Sequence, residues 1–281
     1  MTDIIEPYGH SLIQHGKNSN RIYLMKYDAA EADSLITHMN QLAHDKNYSK
    51  IVAKIPESQD PVFKADGYKE EAAIPGFYRG QETCKLLSKY LCPKRESLTN
   101  DMEIKQILDD AIKKRAEAAT QALPEEFKIR ELGPSDIPTL AQIYGTVFKS
   151  YPFPIFNADY LLETMSDHVT YFGVFHNNHL VAVSSSETDL DNLNSEMTDF
   201  AVLPAYRGHK LALHLLNEME KHMINAGFRL LYTIARASSY GMNRTFARAN
   251  YQYGGTLNNN TQISGSIESM NIWYKDIGAA K

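Results

Sequence analysis

Asp199-Phe200-Ala201-Val202-Leu203-Pro204-Ala205-Tyr206-Arg207-Gly208-His209-Lys210-Leu211-Ala212 is the stretch that decides how this chain is read. An apolar strand runs into Pro204. A short loop carrying Arg207 and Gly208 follows, and an apolar-periodic helix starts at once. Backbone N–H groups at a helix N-terminus, with basic side chains beside them, form an anion site. An ordinary strand-to-helix connection is the alternative for the same residues.

The rest of the chain narrows the class. Its 281 residues allow two modest domains or one large one, and a hydrophobic share of 43% can bury a sizeable core. A net charge of −5 argues against a nucleic-acid or anionic-membrane surface. The clusters Lys113-Lys114-Arg115 and Lys94-Arg95 are short and mixed with acids, so they read as solvated faces. No apolar run approaches the ~20 residues of a membrane span. Met1-Thr2-Asp3-Ile4-Ile5-Glu6 lacks the basic start and long apolar core of a signal peptide. Cys84 and Cys92 are the only cysteines, and no histidine pair has ligand spacing, so neither a disulfide framework nor a metal site is expected. The expected setting is cytoplasmic.

Two halves are expected, with a boundary after residue 123. Residues 111–123 are rich in Ala, Lys, Glu and Gln and stop at Pro124, which predicts a polar connecting helix. Beyond it the pattern predicts a strand over 127–132 and a helix capped by Ser135. A second helix is predicted over 157–166, then strands over 168–175 and 179–185 joined by Asn177-Asn178. A strand over 196–203, a helix over 210–226 closed by Gly227, a strand over 229–235 and a helix over 243–249 follow. Two strands fill 253–275. In residues 1–123, a strand (21–27), a helix (30–42) and a strand (51–55) lead to Phe63-Lys64-Ala65-Asp66-Gly67-Tyr68. This shares its Phe-to-Tyr spacing with Phe246-Ala247-Arg248-Ala249-Asn250-Tyr251. The first half thus echoes part of the second, without a counterpart of the Arg-Gly loop. A generic αβ cap with a chance similarity is the alternative.

The loop and the element order resemble the GNAT N-acetyltransferase superfamily, whose pyrophosphate loop reads R/Q-x-x-G-x-G/A. Arg207 and Ala212 match its ends, and Lys210 stands at its middle glycine. The resemblance implies an α/β (α+β) fold, a mixed, mostly antiparallel sheet flanked by helices. It implies acetyl-CoA as acyl donor and no metal. Gly208, His209, Lys210, Leu211 and Ala212 would meet the pyrophosphate with Arg207, and the backbone of Phe200, Ala201 and Val202 would hold the pantetheine arm. Asn243 occupies the position of a cofactor-contacting asparagine, with a helix cap as its alternative. Phe246 occupies that of the tyrosine that protonates the leaving thiolate, and a phenyl ring has no proton to give. Tyr240, Tyr251 or solvent must then serve. Glu196 and Asp199 are the candidate proton acceptors, and strand alternation puts them on opposite faces unless a bulge intervenes.

Longer segments narrow the resemblance. Glu70 to Phe77, Ser88 to Leu91, Tyr253-Gly254-Gly255-Thr256-Leu257 and Asn271-Ile272-Trp273-Tyr274-Lys275 look like the β-lysine acetyltransferase family. That likeness covers most of the chain. It implies acetylation of the ε-amino group of β-lysine to give an osmolyte, downstream of an aminomutase that makes β-lysine from lysine. Glu268, Asn259 and Asn260 cluster where they could hold a diamino acid, with a polar hairpin as the alternative. A GNAT enzyme for another small amine, or an acetyl-CoA-binding regulator without turnover, stays open, as does a homodimer.

Overall fold

The computed structural model describes residues 3–98, 100–113, 115 and 122–278. The first half runs β1 (Ile4–Tyr8), β2 (Ser11–Gly16), β3 (Arg21–Lys26), α1 (Ala32–Lys46), β4 (Lys50–Pro56), α2 (Asp60–Ala65), β5 (Lys69–Tyr78), β6 (Glu82–Tyr90), α3 (Pro93–Glu96) and α4 (Asp101–Lys113). The second runs β7 (Phe127–Glu131), α5 (Ile137–Val147), α6 (Ala158–Asp167), β8 (Val169–His176), β9 (His179–Asp189), β10 (Asn194–Val202), α7 (Leu211–Asn225), β11 (Leu230–Arg236), α8 (Tyr240–Arg248), β12 (Gln252–Ile263) and β13 (Ser266–Asp276). All strands join one 13-stranded sheet in the order β1-β2-β3-β4-β6-β5-β12-β13-β11-β10-β9-β8-β7.

That order repeats. In both halves three antiparallel strands lead through a helix to a parallel strand, β3 to β4 and β10 to β11. A short helix and a hairpin then follow, whose last strand pairs back on the parallel one. The Phe-to-Tyr echo has a matching shape. Phe63 meets Tyr68 edge-on at 5.2 Å, and Phe246 meets Tyr251 edge-on at 5.1 Å. Gly67 and Asn250 precede the two tyrosines at φ of +87° and +68°, the left-handed turn each helix end needs. Between β3 and α1, where the second half has its Arg-Gly loop, Asp28 accepts the Ala30 N–H itself.

Two expectations shift. The described helix is Asp101–Lys113, with Ile104, Ile107 and Ala111 as its buried stripe, and it meets the helix expected over 111–123 only at residues 111–113. Residues 122–124 are not helical, and 116–121 lie outside the described residues. The second-half helix after β7 is entered through Asp136, not Ser135: the Asp136 carboxylate accepts the Gly133 N–H at 2.9 Å and pairs with Arg130.

Helices cover one face of each half. Leu35, Met39 and Ala43 of α1 pack on Ile51, Ala53 and Ile55. Leu215, Met219 and Met223 of α7 pack on Met197 and Leu231. The opposite, helix-free faces share a core of their own, with Ile74, Phe77, Cys84 and Leu86 from the first half against Leu230, Tyr232, Met270 and Ile272 from the second. The seam between β5 and β12 depends on glycine. A β-carbon at Gly255 (φ +137°) would lie 2.2 Å from the Glu71 carbonyl oxygen, so no other residue admits that approach. No helix among the described residues is long and apolar enough to cross a membrane.

Candidate active site

A splay between two parallel strands opens the site. β10 and β11 pair only over Asn194–Glu196 and Leu230–Tyr232. Beyond Glu196 they part. The register of β10 on β9 shifts between Thr198 and Ala201, and Asp199 at φ +56° is the bulge. The opening is a cleft of about 530 Å³. Thr198, Asp199, Phe200 and Val202 line one wall, and Thr233, Ile234, Ala235 and Arg236 the other. Tyr151 and Phe148 close one side, and Phe246 packs edge-on to Phe200 at 5.7 Å within it.

The loop stands at the cleft mouth. Arg207, Gly208, Lys210, Leu211 and Ala212 line the cleft, and residues 207–210 are exposed. The N–H groups of Gly208, His209, Leu211 and Ala212 donate to no described acceptor, so they remain available to an anion at the N-terminus of α7. Lys210 holds φ +58° and ψ +24°. The backbone there is left-handed, which explains a preference for glycine, and this chain reaches the same turn with lysine at a cost of about 1–3 kcal/mol.

Three carboxyl groups lie close together here, of which Asp199, at the bulge, lines the cleft while Glu196 and Glu187 stand behind its lining. Asp199 is buried and fully engaged: the Tyr151 hydroxyl donates to Oδ1, Ser185 donates to Oδ2 at 2.7 Å, and Thr198 adds a longer bond. Burial raises its pKa, and these hydroxyls hold the rise back. Glu196 is half-buried and faces the Tyr232 hydroxyl and the Ile234 N–H. Burial, opposed by Lys54 and reinforced by Asp199, pushes Glu196 up to about 7. Glu187 lies directly across the strand pair from Glu196 and is pushed well above the carboxylate range by burial and by both neighbours. Tyr151 stays a phenol, raised first by burial and then by Asp199.

Several sequence-expected residues go elsewhere. Ala201 is fully buried beneath the cleft wall. His209 tilts its ring against Phe127 at 5.5 Å. Asn243 does not reach the cleft. Its Nδ2 donates to the carbonyls of Arg236, Ala237 and Ser239, and its Oδ1 accepts from Asn271 and from the Trp273 indole. It is therefore a buried hub shaping the turn from β11 into α8. Tyr251 lies under Phe246 in the core beside Glu220, away from the cleft, whereas Tyr240 is 42% exposed on α8. Glu268 is held by Arg236 at 3.0 Å and by Ser238 at 2.6 Å, so its carboxylate fixes a cation on the cleft wall. Asn259 donates to the carbonyls of Arg95 and Ser97, and the Asn260 carbonyl accepts from Arg95. Both asparagines tie the halves together rather than line the cleft. Tyr151 is the residue that sequence reasoning missed: it follows a helix with no motif around it, and only the bulge at Asp199 brings it in. No group of three or more His, Cys, Asp or Glu among the described residues is arranged to hold a metal.

Residues 138–251 match the acetyltransferase (GNAT) family. Over 275 residues the chain is 38% identical to the β-lysine N(6)-acetyltransferase of Methanococcus maripaludis, covering 98% of this chain and 99% of that protein. It is 30% identical to the N-acetyltransferase YodP of Bacillus subtilis over 95% of this chain and 96% of that one. It is 32% identical to the β-lysine N(6)-acetyltransferase of Methanosarcina mazei over 84% and 94%. Among solved structures, the ribosomal-protein-S18-alanine N-acetyltransferase of Escherichia coli aligns at 17% identity with a TM-score of 0.49, covering 55% of this chain and 96% of that one.

Proposed function

The chain belongs to the GNAT acetyltransferase family and is an acyltransferase, and we propose that it moves the acetyl group of acetyl-CoA to the terminal amine of β-lysine. The observation that carries the chemistry is the splayed β10–β11 pair, with an anion-binding loop at its mouth, Asp199 in its lining and Glu196 on the strand beside it. The choice of acceptor rests on the two β-lysine N(6)-acetyltransferases, which align with both halves of the chain.

In this reading the N–H groups of the loop and Arg207 take the pyrophosphate. The pantetheine arm runs along Phe200 and Val202, where β10 has lost its partner strand. The amine attacks the thioester carbonyl carbon, a C–N bond forms, and the C–S bond breaks. The nitrogen sheds a proton as it attacks, and Glu196, poised near neutrality, accepts it through water. Asp199 is a positioning residue, since hydroxyl donors already occupy both its oxygens. Phe246 supplies no acid, and neither Tyr240 nor Tyr251 lines the cleft, so solvent at the open mouth protonates the thiolate. Acetylation removes one positive charge from β-lysine. The product keeps one ammonium and one carboxylate, the neutral balance of a solute accumulated against osmotic stress.

Free-thiol release from acetyl-CoA with β-lysine, lysine, spermidine and no acceptor tests this. A kcat/KM for β-lysine at least tenfold above the others is expected. A better rate with lysine or spermidine would replace the acceptor, and acetyl-CoA binding without turnover would overturn the enzymatic reading.

A further inference from the structure

A diamino acid brings a carboxylate as well as two amines. Arg236 on the cleft wall already commits its two terminal nitrogens to Glu268, Ser238 and Ser264, and only its Nε lacks a partner among the described residues. A second cation comes from the first half. Lys54 lies on β4 between Ala53 and Ile55, whose side chains pack under α1, so its own side chain takes the helix-free face. Its Nζ sits over the Phe77 ring at 5.5 Å. Phe77 meets Tyr232 edge-on at 5.2 Å, and Tyr232 is the register partner of Glu196 across the β10–β11 pair. This chain of contacts brings a lysine of one half to the carboxylates of the other.

Lys54 makes no hydrogen bond or ion pair with any described residue. Lys54 is half-buried, and the desolvation there works against its charge. The carboxylates of Glu196 and Asp189 favour its charged form against the desolvation. Glu187 and Glu196 likewise have carboxylates without a close ion pair, although both are half-buried. A cation and the Glu196 carboxylate, set apart across one interior, match an acceptor with an ammonium and a carboxylate.

We propose that Lys54 binds the carboxylate of the acceptor amino acid, so that the first half of the chain completes the acceptor site and selects amino acids over plain diamines. This deepens the β-lysine reading and rests on it. The role is positional: Lys54 fixes the acceptor while Glu196 handles the proton.

The test compares β-lysine with 1,5-diaminopentane, which has two amines and no carboxylate, on wild type, Lys54→Met and Lys54→Arg. Lys54→Met is expected to raise KM for β-lysine at least tenfold while kcat and the KM for acetyl-CoA move less than threefold. The loss of kcat/KM with β-lysine should exceed that with the diamine at least tenfold, and Lys54→Arg should recover most of it. Equal losses on both acceptors, or a KM for β-lysine within twofold of wild type, would overturn the Lys54 assignment and leave the β-lysine reading intact. A wild type that acetylates the diamine better than β-lysine would overturn both. Should the methionine variant not fold, Lys54→Gln carries the same readings.

Discussion

Glu196→Gln is expected to lower kcat by about 10²–10⁴-fold, the usual contribution of a positioned general base, with the affinity for acetyl-CoA unchanged. The amide keeps the shape of the side chain and removes only its capacity to take a proton. In the wild type, kcat/KM should fall about tenfold per pH unit below about 7, because Glu196 must be ionised to act and burial raises it to that value. The glutamine variant should lose this limb. Stability should move the other way. A carboxyl raised in the folded state binds more protons there than in the unfolded chain between its ordinary value and about 7. Stability therefore falls as pH rises through that window, and the cost is fully present above it. Glu196→Gln removes that cost, so Tm measured at pH 8 should rise by a few degrees while turnover collapses. A variant that keeps more than a tenth of wild-type kcat, or the same acid limb, would assign the base elsewhere.

Glu71→Ala is expected to destabilise the protein by about 3–5 kcal/mol, the cost of leaving one partner of a buried ion pair alone. By the size scaling of thermal unfolding that is a Tm lower by roughly 6–20 °C. The Lys50 side chain is completely buried, and its ammonium bonds the Glu71 carboxylate at 2.8 Å and the Asn258 carbonyl at 2.7 Å. Glu71 also accepts from Ser88, Tyr90 and the Asn258 N–H. Burial already lowers Lys50 to about 8 against the pull of Glu71, so removing Glu71 leaves its charge uncompensated. The knot spans β4, β5, β6 and β12, the strands at the seam between the halves. Activity should therefore be lost along with stability, although no atom of the knot lines the cleft. Thermal unfolding followed by circular dichroism would check this, and a Tm within 2 °C of wild type would refute it.

Much of this architecture could be read locally. The loop declared itself because strand, glycine, base and helix start lie within a few residues, and the Asn177-Asn178 hairpin because both residues adopt left-handed backbone. The Phe-to-Tyr spacing anticipated a repeated local shape for the same reason. What local pattern missed depends on distant partners. β1 and β2 alternate weakly, and only their neighbours in the sheet define them. Asn243 matched a motif in sequence, but the indole of Trp273 and the amide of Asn271, far along the chain, claim its side chain. Asn259 and Asn260 looked like ligand groups because polar clusters resemble sites, and Arg95 turned out to be their partner. Lys54 carried no signal at all in a strand of ordinary composition. Its place opposite Glu196 arises from the turning of one helix-free face toward another.

Transfer of acetyl to the terminal amine of β-lysine is read most directly from the structure of the product. Wild-type protein, β-lysine and acetyl-CoA labelled with carbon-13 in the acetyl group would be incubated and the product read by NMR. A single amide at the terminal nitrogen is expected, with the inner amine and the carboxylate untouched. An amide at the inner nitrogen, or labelled acetate with no amide, would contradict it.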